Sequence, residues 1–420
     1  MTIEGLATVI PGQGLRLTRL RKPVLALIVK WLVLPLATSL MGAMVIGRIV
    51  NAVLGTNTYK IYLVGSLDDE ATRQIKAGFL NGGNGGLTLN GAAIQFEALN
   101  DLGEPSNAQR IAADLAARDN TLLVVGHISS TQTKQALPAY LQKARPPIPV
   151  ILTTETNPHL LPPKISDEIY YPVFRLSPTD DAQAESAVRF AVAQGAQAFW
   201  VVEDTANPVY SGFLAREFVV RAEQQRRRVV LVTTNEHIPP LEVLQKLGVD
   251  WVFFAGDWHN GLVLVRQLRA LRLGTQVILS DGCTDQRILE AGAQDVEGVY
   301  LTHPLTAKAY ADSGFTRYGA DARKLVEQLL ESANRRFSDL AAARGGFPYL
   351  VRRVLGIRRV GDARNALVAS MAAAVRVQRK FDLSAANGQI QFRDDGSPVA
   401  TAFHVWKIQS GSFTDYPQGR

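Results

Sequence analysis

Residues 121–133 read TLLVVGHISSTQT, an apolar run that ends at Gly126 and leads into a serine- and threonine-rich stretch. Consecutive apolar residues are typical of a strand covered on both faces in a parallel sheet. Hydroxyl residues often cap helix N-termini, so the following residues predict a helix at Ser129–Ala144. The stretch therefore predicts a strand, a loop and a helix in succession, which is the repeating unit of an α/β fold.

The same unit recurs on both sides of this stretch. Further strand-like runs lie at Ile61–Val64, Ile94–Leu99, Val150–Leu152, Val173–Leu176, Phe199–Val202, Val229–Val232, Trp251–Phe254, Val277–Leu279 and Val299–Leu301. Helical patterns lie between several of them, at Ala71–Leu80, Ser106–Ala117, Asp181–Gln194, Gly212–Gln225 and Asn260–Leu271. This alternation predicts βαβ units. Because about ten strands are too many for one compact sheet, we expect two doubly wound parallel sheets.

The C-terminal part of the sequence follows different patterns. Asp321–Lys380 breaks the alternation and predicts helices. Within it, Arg335–Arg364 holds eight arginines and two aspartates, which indicate a solvated or partner-facing surface, or one that binds acidic lipid headgroups or an acidic partner. Gly388–Gly396 followed by Ala402–Ile408 predicts a β-hairpin with its turn at Asp395-Gly396.

The N-terminal segment is apolar and basic. Val24–Gly47 carries one charge, Lys30, and Trp31–Gly47 is a 17-residue stretch without a charge, at the short end for a bilayer-spanning helix. The basic stretch Arg16–Lys22 places the N-terminus in the cytoplasm by the positive-inside rule, with the rest of the chain in the periplasm or outside the cell. We expect an uncleaved membrane anchor. A cleaved signal peptide and a buried amphipathic helix are the alternatives.

The composition argues against several classes of protein. Residues 1–57 hold six basic residues and one acidic residue, so the other 363 carry 39 basic and 37 acidic residues, a net charge of +2 instead of +7. We therefore expect no nucleic-acid partner. The single cysteine, Cys283, excludes an intramolecular disulfide, and the six histidines show no metal-ligand spacing. With no nucleophile-elbow or phosphate-loop motif, we expect no catalytic residues, no metal, no cofactor and no enzymatic activity.

The loop at residues 126–131 resembles the first carboxylate-binding loop of the branched-chain amino acid-binding proteins that serve ABC importers, which belong to the type I periplasmic-binding class. Similar motifs follow in the family's order at Pro149–Pro158, Val173–Pro178, Val201–Asp204, Tyr210–Gly212, Phe253–Gly256, Ile278–Gly282, Glu297–Tyr300 and Ile390–Phe392. The resemblance covers residues 59–410. Each motif is weak alone, but this many in one order are hard to obtain by chance.

The resemblance implies two α/β lobes with hinge crossings near Arg175, Gly298 and Phe381. The expected division is an N-terminal segment at 1–57, a first lobe at 58–174 with 299–380, and a second lobe at 175–298 with 381–420. A ligand would bind between the lobes, which would close on it, because only the closed form lets both lobes contact it.

The resemblance also implies a site for an amino acid. It assigns the ligand carboxylate to Ser129, Ser130, Thr131, Thr154 and Thr156, aromatic contacts to Tyr210 and Trp258, and the ammonium group to Asp281. Hydroxyl and amide donors at one end and a carboxylate at the other suit a zwitterion. Two departures concern the ligand: Gly65–Glu70 replaces the small residues usual in the family's first loop, and Glu155 stands where a small residue is usual. Either the ligand is not a plain neutral amino acid, or the Glu155 side chain points away.

We therefore expect an extracytoplasmic solute-binding protein that captures an amino acid or related amide and delivers it to an ABC importer permease. The alternative is a membrane-anchored sensor with the same fold that reports ligand occupancy to a signalling partner. The predicted anchor and the arginine-rich segment favour the sensor.

Overall fold

The computed structural model describes residues 58–83, 85–142, 146–161, 172–343, 360–383, 388–399 and 402–417. These residues belong to one compact unit. The predicted anchor helix and most of the arginine-rich segment lie outside the described residues. Within the described ranges, no helix is both long enough and apolar enough to span a membrane.

Strands and helices alternate through most of the described chain. The strands are β1 (Thr58–Gly65), β2 (Thr88–Leu89), β3 (Ala92–Asn100), β4 (Thr121–Gly126), β5 (Val150–Leu152), β6 (Val173–Arg175), β7 (Ala198–Glu203), β8 (Arg228–Thr234), β9 (Trp251–Ala255), β10 (Gln276–Leu279), β11 (Tyr300–His303), β12 (Phe381–Asp382), β13 (Gln389–Ile390), β14 (His404–Gln409) and β15 (Ser412–Asp415). The helices are α1 (Glu70–Asn81), α2 (Pro105–Ala117), α3 (Ser130–Tyr140), α4 (Asp180–Ala193), α5 (Pro208–Gln224), α6 (Leu241–Leu247), α7 (Trp258–Ala270), α8 (Gln286–Gly292), α9 (Ala307–Ser313), α10 (Thr316–Ala343) and α11 (Val360–Arg376). Each predicted strand run falls on one of β1 or β3–β11.

The first sheet has the strand order β2-β3-β1-β4-β5-β6 among the described residues, and its strands are parallel except β2. Ile61 and Leu63 pack in the core on one face, with α1, α10 and α11. Tyr62 and Val64 pack on the other face, with α2 and α3. Because successive strand residues point to opposite faces, burial on both faces requires an unbroken apolar run, as the sequence shows.

The second sheet has the order β15-β14-β11-β10-β9-β7-β8 among the described residues. The five strands from β11 to β8 are parallel, and β14 and β15 add an antiparallel edge. Phe253 packs in the core with α4 and α5, and Phe254 packs on the opposite face with α7 and α8. The expected arrangement of two parallel-rich α/β sheets is confirmed.

The boundaries between the two halves differ from those predicted. The expected division placed residues 299–380 in the first lobe, but β11 lies between β10 and β14 in the second sheet. The second crossing therefore follows His303, not Gly298. The expected division also placed residues 381–420 in the second lobe, whereas Phe381, Ile390 and Phe392 pack in the core of the first sheet. The third crossing thus lies between Phe392 and β14. Both errors arose because β11 and β12–β13 are short segments whose sequence does not reveal which sheet they lie on.

The predicted C-terminal hairpin is half right. Its turn is present, because the Gly396 amide donates to the Arg393 carbonyl at 3.0 Å and Gly396 has a φ of +79°. Its strands do not pair with each other, however: β13 pairs with β12, and β14 pairs with β11 and β15. Val405, Trp406 and Ile408 are all buried, so β14 needs neighbours on both of its edges and both of its faces.

Two of the crossings lie side by side. The Arg175 amide, at the end of β6, donates to the Gly396 carbonyl at 2.9 Å. A Cβ atom at Gly396 would lie 1.9 Å from the Val173 carbonyl oxygen, so only glycine fits at this contact. The two segments that enter the second half of the molecule are thus joined through their backbones.

Candidate functional site

A cavity of about 1100 Å³ lies where the carboxyl ends of the strands of both sheets meet. The first sheet contributes the residues that follow β1, β3, β4 and β5, and the second contributes those that follow β7, β9, β10 and β11. Ligands of open α/β sheets bind at this end, because the following helices direct free N–H groups toward it. The cavity is large enough for a small organic molecule.

The predicted ligand-binding residues come from distant parts of the chain and mostly converge on this cavity. Seven of the eight line it: Ser129, Ser130, Thr154, Thr156, Tyr210, Trp258 and Asp281. The eighth, Thr131, does not. Its hydroxyl donates to the Asn207 side chain at 2.5 Å and accepts from the Val209 amide at 3.2 Å. Thr131 therefore joins the start of α3 to the start of α5.

Glu155 points away from the cavity. Its carboxylate accepts hydrogen bonds from the backbone amides of Ile128 at 3.0 Å, Thr153 at 2.7 Å and Thr154 at 2.9 Å, and from the Thr133 hydroxyl at 3.2 Å. The side chain is buried, and this burial raises the pKa of Glu155, while the amide donors oppose the rise. Of the two possibilities that the sequence left open, the structure matches the second. Glu155 clamps the loop after β4 to the loop after β5.

This clamp leaves few donors for a ligand carboxylate. Thr154 uses its amide on Glu155 and its hydroxyl on the Ile128 carbonyl, at 2.8 Å. Among the described residues, the hydroxyls of Ser129 and Ser130 have no hydrogen-bond partner. Ser130 is 3% exposed and lies in the first turn of α3, where the helix dipole favours an anion. The two serines are therefore better placed than Thr154 to donate to a ligand.

The opposite wall of the cavity carries Tyr210 and Asp281. The Tyr210 hydroxyl donates to Asp281 Oδ1 at 2.5 Å. Burial and the neighbouring Asp281 carboxylate raise the pKa of Tyr210 well above its ordinary value. Burial also raises the pKa of Asp281, although the Tyr210 hydrogen bond opposes this. The Gln183 side chain and the Gly282 amide oppose the rise as well, and an ionised carboxylate, with about four acceptor sites, can still accept from an ammonium group.

Trp258 is partly covered by an arginine. The Arg287 guanidinium lies over the indole, 4.7 Å from the ring centroid. Arg287 also pairs with Asp285 at 2.6 Å and with Asp69, across the cavity, at 3.3 Å. Trp258 thus belongs to a group that connects the two halves of the molecule as well as to the cavity wall.

Several polar residues of the site were missed by sequence reasoning. His127 contacts Asp101 through Nδ1 at 3.1 Å and the Tyr140 hydroxyl through Nε2 at 2.9 Å, and all three are buried. Asp204 and Asp257 were also missed. Asp204 follows β7 directly, and Asp257, like Asp281, lies two residues after its strand, so an acid near a strand end was a signal that could have identified them.

Comparison with known proteins decides the family. A sequence model of the family described as periplasmic binding protein matches residues 71–411, which is 341 of the 420 residues. The chain belongs to the periplasmic binding protein family. The predicted resemblance is confirmed, and the cavity forms a cleft between the two sheets.

Two curated relatives and one solved structure illustrate the similarity. The Leu/Ile/Val-binding protein of Escherichia coli is 23% identical over 222 residues, which cover 51% of this chain and 58% of that protein. The amino acid binding protein of Pseudomonas aeruginosa is 29% identical, over 51% of this chain and 57% of that protein. The matches span little more than half the length of these relatives. A leucine binding protein of Thermotoga maritima shares the fold, with a TM-score of 0.68, 18% identity, and coverage of 86% of this chain and 98% of that one.

Proposed function

We propose that this periplasmic binding protein captures a small amine-bearing solute, an amino acid or related amide, in the cleft and delivers it to an ABC importer permease. The observation that carries the proposal is the cavity, whose walls come from both sheets and hold serine hydroxyls on one side and the Tyr210–Asp281 pair on the other. The sensor alternative rests on the N-terminal segment, which lies outside the described residues, and on the arginine-rich segment, most of which does.

The two walls are chemically complementary to a zwitterion. Ser129 and Ser130 offer hydroxyl donors at the start of α3, and Asp281 offers a carboxylate. Charge-assisted hydrogen bonds of this kind contribute about 1.5–3 kcal/mol each. Tyr210 and Trp258 add apolar area for the remainder of the ligand. The names of the relatives, which bind amino acids, support the same class of solute.

Bonds across the cleft support a closing motion. Thr131 contacts Asn207 and Val209, and the Asn157 amide donates to the Val209 carbonyl at 2.5 Å. These bonds join the start of α3 and the loop after β5, in the first half, to the start of α5 in the second. We propose that the ligand favours the arrangement in which these bonds form, because only then do both walls contact it. Binding alone accounts for this function, and no covalent step is needed.

A thermal-shift screen of the full chain against amino acids, their amides and urea tests the proposal. A ligand at about 100 times its dissociation constant should add roughly 2.7 kcal/mol to the free energy of unfolding. We expect at least one amine-bearing compound to raise the melting temperature. Asp281→Asn should abolish the shift, whereas Asp119→Asn, at an exposed position before β4, should preserve it. Absence of any shift across the panel, or a shift that survives Asp281→Asn, would contradict the proposal.

A further inference from the structure

The cleft is strongly acidic. Among the described residues that line the cavity, seven are aspartate or glutamate and two are arginine. Both arginines are already paired: Arg73 contacts Glu70 at 2.6 Å, and Arg287 contacts Asp285 and Asp69. The excess negative charge of the lining is therefore not balanced by the protein's own cations, and such a surface attracts cationic solutes.

Two of the lining acids, Asp257 and Asp281, lie with Asp204 at the carboxyl ends of three neighbouring strands. Asp204 follows β7, Asp257 follows β9 and Asp281 lies just beyond β10, and these strands are adjacent in the second sheet. The Asp257 amide donates to Asp204 Oδ2 at 2.9 Å. A Cβ atom at Gly282 would lie 3.0 Å from Asp257 Oδ1, which places that carboxylate beside the Asp281 segment. No lysine or arginine in the described parts of the chain forms an ion pair with these three acids.

Asp257 differs from its two neighbours in having no donor. Asp204 accepts hydrogen bonds from the Ala206 amide and the Asn260 side chain, and Asp281 accepts one from Tyr210. No described residue donates to the Asp257 carboxylate, although it precedes α7 in a capping position. Burial and the adjacent Asp204 raise the pKa of Asp257 to about 7. A carboxylate held among like charges is stabilised by any cation that enters the cleft.

A second unpartnered group lies nearby. The Thr284 hydroxyl is buried, lines the cavity and has no hydrogen-bond partner among the described residues. Thr284 follows the short turn Asp281–Cys283, so it belongs to the same wall as the acids. A ligand group with several N–H donors would satisfy this oxygen and a carboxylate together. On the other wall both donors of Thr154 are already used, the amide on Glu155 and the hydroxyl on the Ile128 carbonyl.

Building on the function proposed above, we propose that the cleft selects solutes with a second cationic group, as in a basic amino acid, and that Asp257 is the partner of that group. The ammonium group common to all amino acids would contact Asp281. The second ammonium or guanidinium group would contact Asp257, with Thr284 as an additional acceptor. A neutral amino acid such as leucine fills only the first of these positions and leaves the Asp257 carboxylate without a partner.

Isothermal titration calorimetry of the full chain at pH 8, with lysine, arginine and leucine as probes, tests this inference. We expect lysine or arginine to bind at least about tenfold more tightly than leucine, which corresponds to one charge-assisted contact. Asp257→Asn should lower the ratio of the lysine and leucine association constants about tenfold. Asp257→Glu keeps the charge and should keep the preference, which separates loss of charge from loss of fold. Asp119→Asn is the control for a distant charge, because Asp119 is exposed at the amino end of β4, away from the cavity.

Three outcomes would overturn the inference. If leucine binds as tightly as both basic amino acids, the selection is absent, although the proposed solute-binding function stands. If Asp257→Asn weakens all three probes equally, Asp257 does not discriminate between them. If neither these probes nor any compound of the thermal-shift panel binds, the proposed function fails as well, and the panel distinguishes this case from the first.

Discussion

At the residue scale, Glu155 is a buried carboxylate whose hydrogen bonds must all come from the protein. Its two carboxylate oxygens accept four hydrogen bonds, three from the loops after β4 and β5 and one from α3, and no water or cation is needed to satisfy them. An internal carboxylate in this place fixes the loops on which Ser129 and Thr154 lie. The residue that the sequence marked as a possible obstacle to the ligand therefore has a positioning role.

We predict that Glu155→Gln lowers the free energy of unfolding by about 1–3 kcal/mol, because the new amide nitrogen must face backbone N–H donors and leaves them unsatisfied. Urea denaturation followed by circular dichroism measures the change. Glu185→Gln, at an exposed position of α4, is the matched control and should change stability by less than about 0.5 kcal/mol. Equal stability of the two variants would show that the clamp contributes nothing.

Asp257 makes the stability of the ligand-free protein depend on pH. Its pKa is raised from 3.8 to about 7 by burial and by Asp204, Asp69 and Asp281, and the buried Cys283 thiol lies beside the same acids. Between these two values the folded state holds a proton that the unfolded state has lost. The contribution of Asp257 to stability thus falls as pH rises from about 4 to 7 and stays low above pH 7.

Replacement of Asp257 by asparagine removes this penalty. We predict that at pH 8 the free energy of unfolding of Asp257→Asn exceeds that of the wild type by on the order of 2 kcal/mol, so the variant unfolds at a higher urea concentration. Near pH 4 the difference should disappear. Urea melts at pH 4, 6 and 8 without ligand provide the test. A difference that is constant across this range would mean that the Asp257 pKa is not raised.

The sequence identified some of these residues and not others for a clear reason. Asp281 could be predicted from the sequence because it follows an apolar strand and matches a family motif. The first of these signals applies equally to Asp204 and Asp257. The direction of the Glu155 side chain could not be predicted from the sequence. It depends on how the loop after β4 lies against the loop after β5, which is set by packing between segments that are distant in sequence.

At the element scale, α1 and α10 pack closely through glycines. A Cβ atom at Gly78 would lie 1.9 Å from the Thr316 carbonyl oxygen, and one at Gly319 would lie 2.0 Å from the Ile75 carbonyl oxygen. The two helix backbones therefore touch, and α1 is fixed on the core of the first sheet. Since α1 begins with Glu70, which lines the cavity, this contact also positions part of the site.

We predict that Gly319→Ala lowers the free energy of unfolding by about 1–3 kcal/mol, even though alanine is the better helix former by about 1 kcal/mol. The added methyl group collides with the backbone of α1, and neither helix can move without disturbing the core. Gly274→Ala is the control, because a Cβ atom there meets no atom within 4 Å. Denaturant melts of both variants measure the effect; a stabilised Gly319→Ala variant would refute the packing argument.

Strands and helices of the α/β region were predictable because their patterns are strong. Buried parallel strands need apolar residues on both faces, and the amphipathic helices between them repeat every three to four residues. The C-terminal hairpin was not predictable in the same way. The turn at Asp395-Gly396 depends only on nearby residues. The pairing of each strand depends on the core against which it packs, so β13 and β14 belong to different sheets.

At the scale of the whole molecule, the two halves are joined by three chain crossings and by bonds across the cleft. The crossings near Arg175 and Gly396 are tied together, and the loops beside the cavity are joined by Thr131, Asn157 and Arg287. Such bonds stabilise the closed arrangement without contacting the ligand. Their loss is expected to weaken binding through the opening equilibrium.

Thr131→Val tests this coupling, because Thr131 is not part of the described cavity lining. Its hydroxyl makes two bonds across the cleft, so its removal should lower ligand affinity about fivefold, or about 1 kcal/mol, mainly through faster dissociation. Stopped-flow kinetics with the best ligand of the thermal-shift panel measures both rate constants. An unchanged dissociation rate would show that these bonds do not hold the cleft closed.

The central claim is that one amine-bearing solute contacts both walls of the cleft at once, and calorimetry of the full chain with variants from each wall tests it most directly. We predict that Ser130→Ala and Asp281→Asn each weaken binding of the best ligand about tenfold to a hundredfold, whereas Ser106→Ala, on the exposed face of α2, has no effect. Affinity that survives both substitutions would contradict the account, since the ligand would then bind elsewhere.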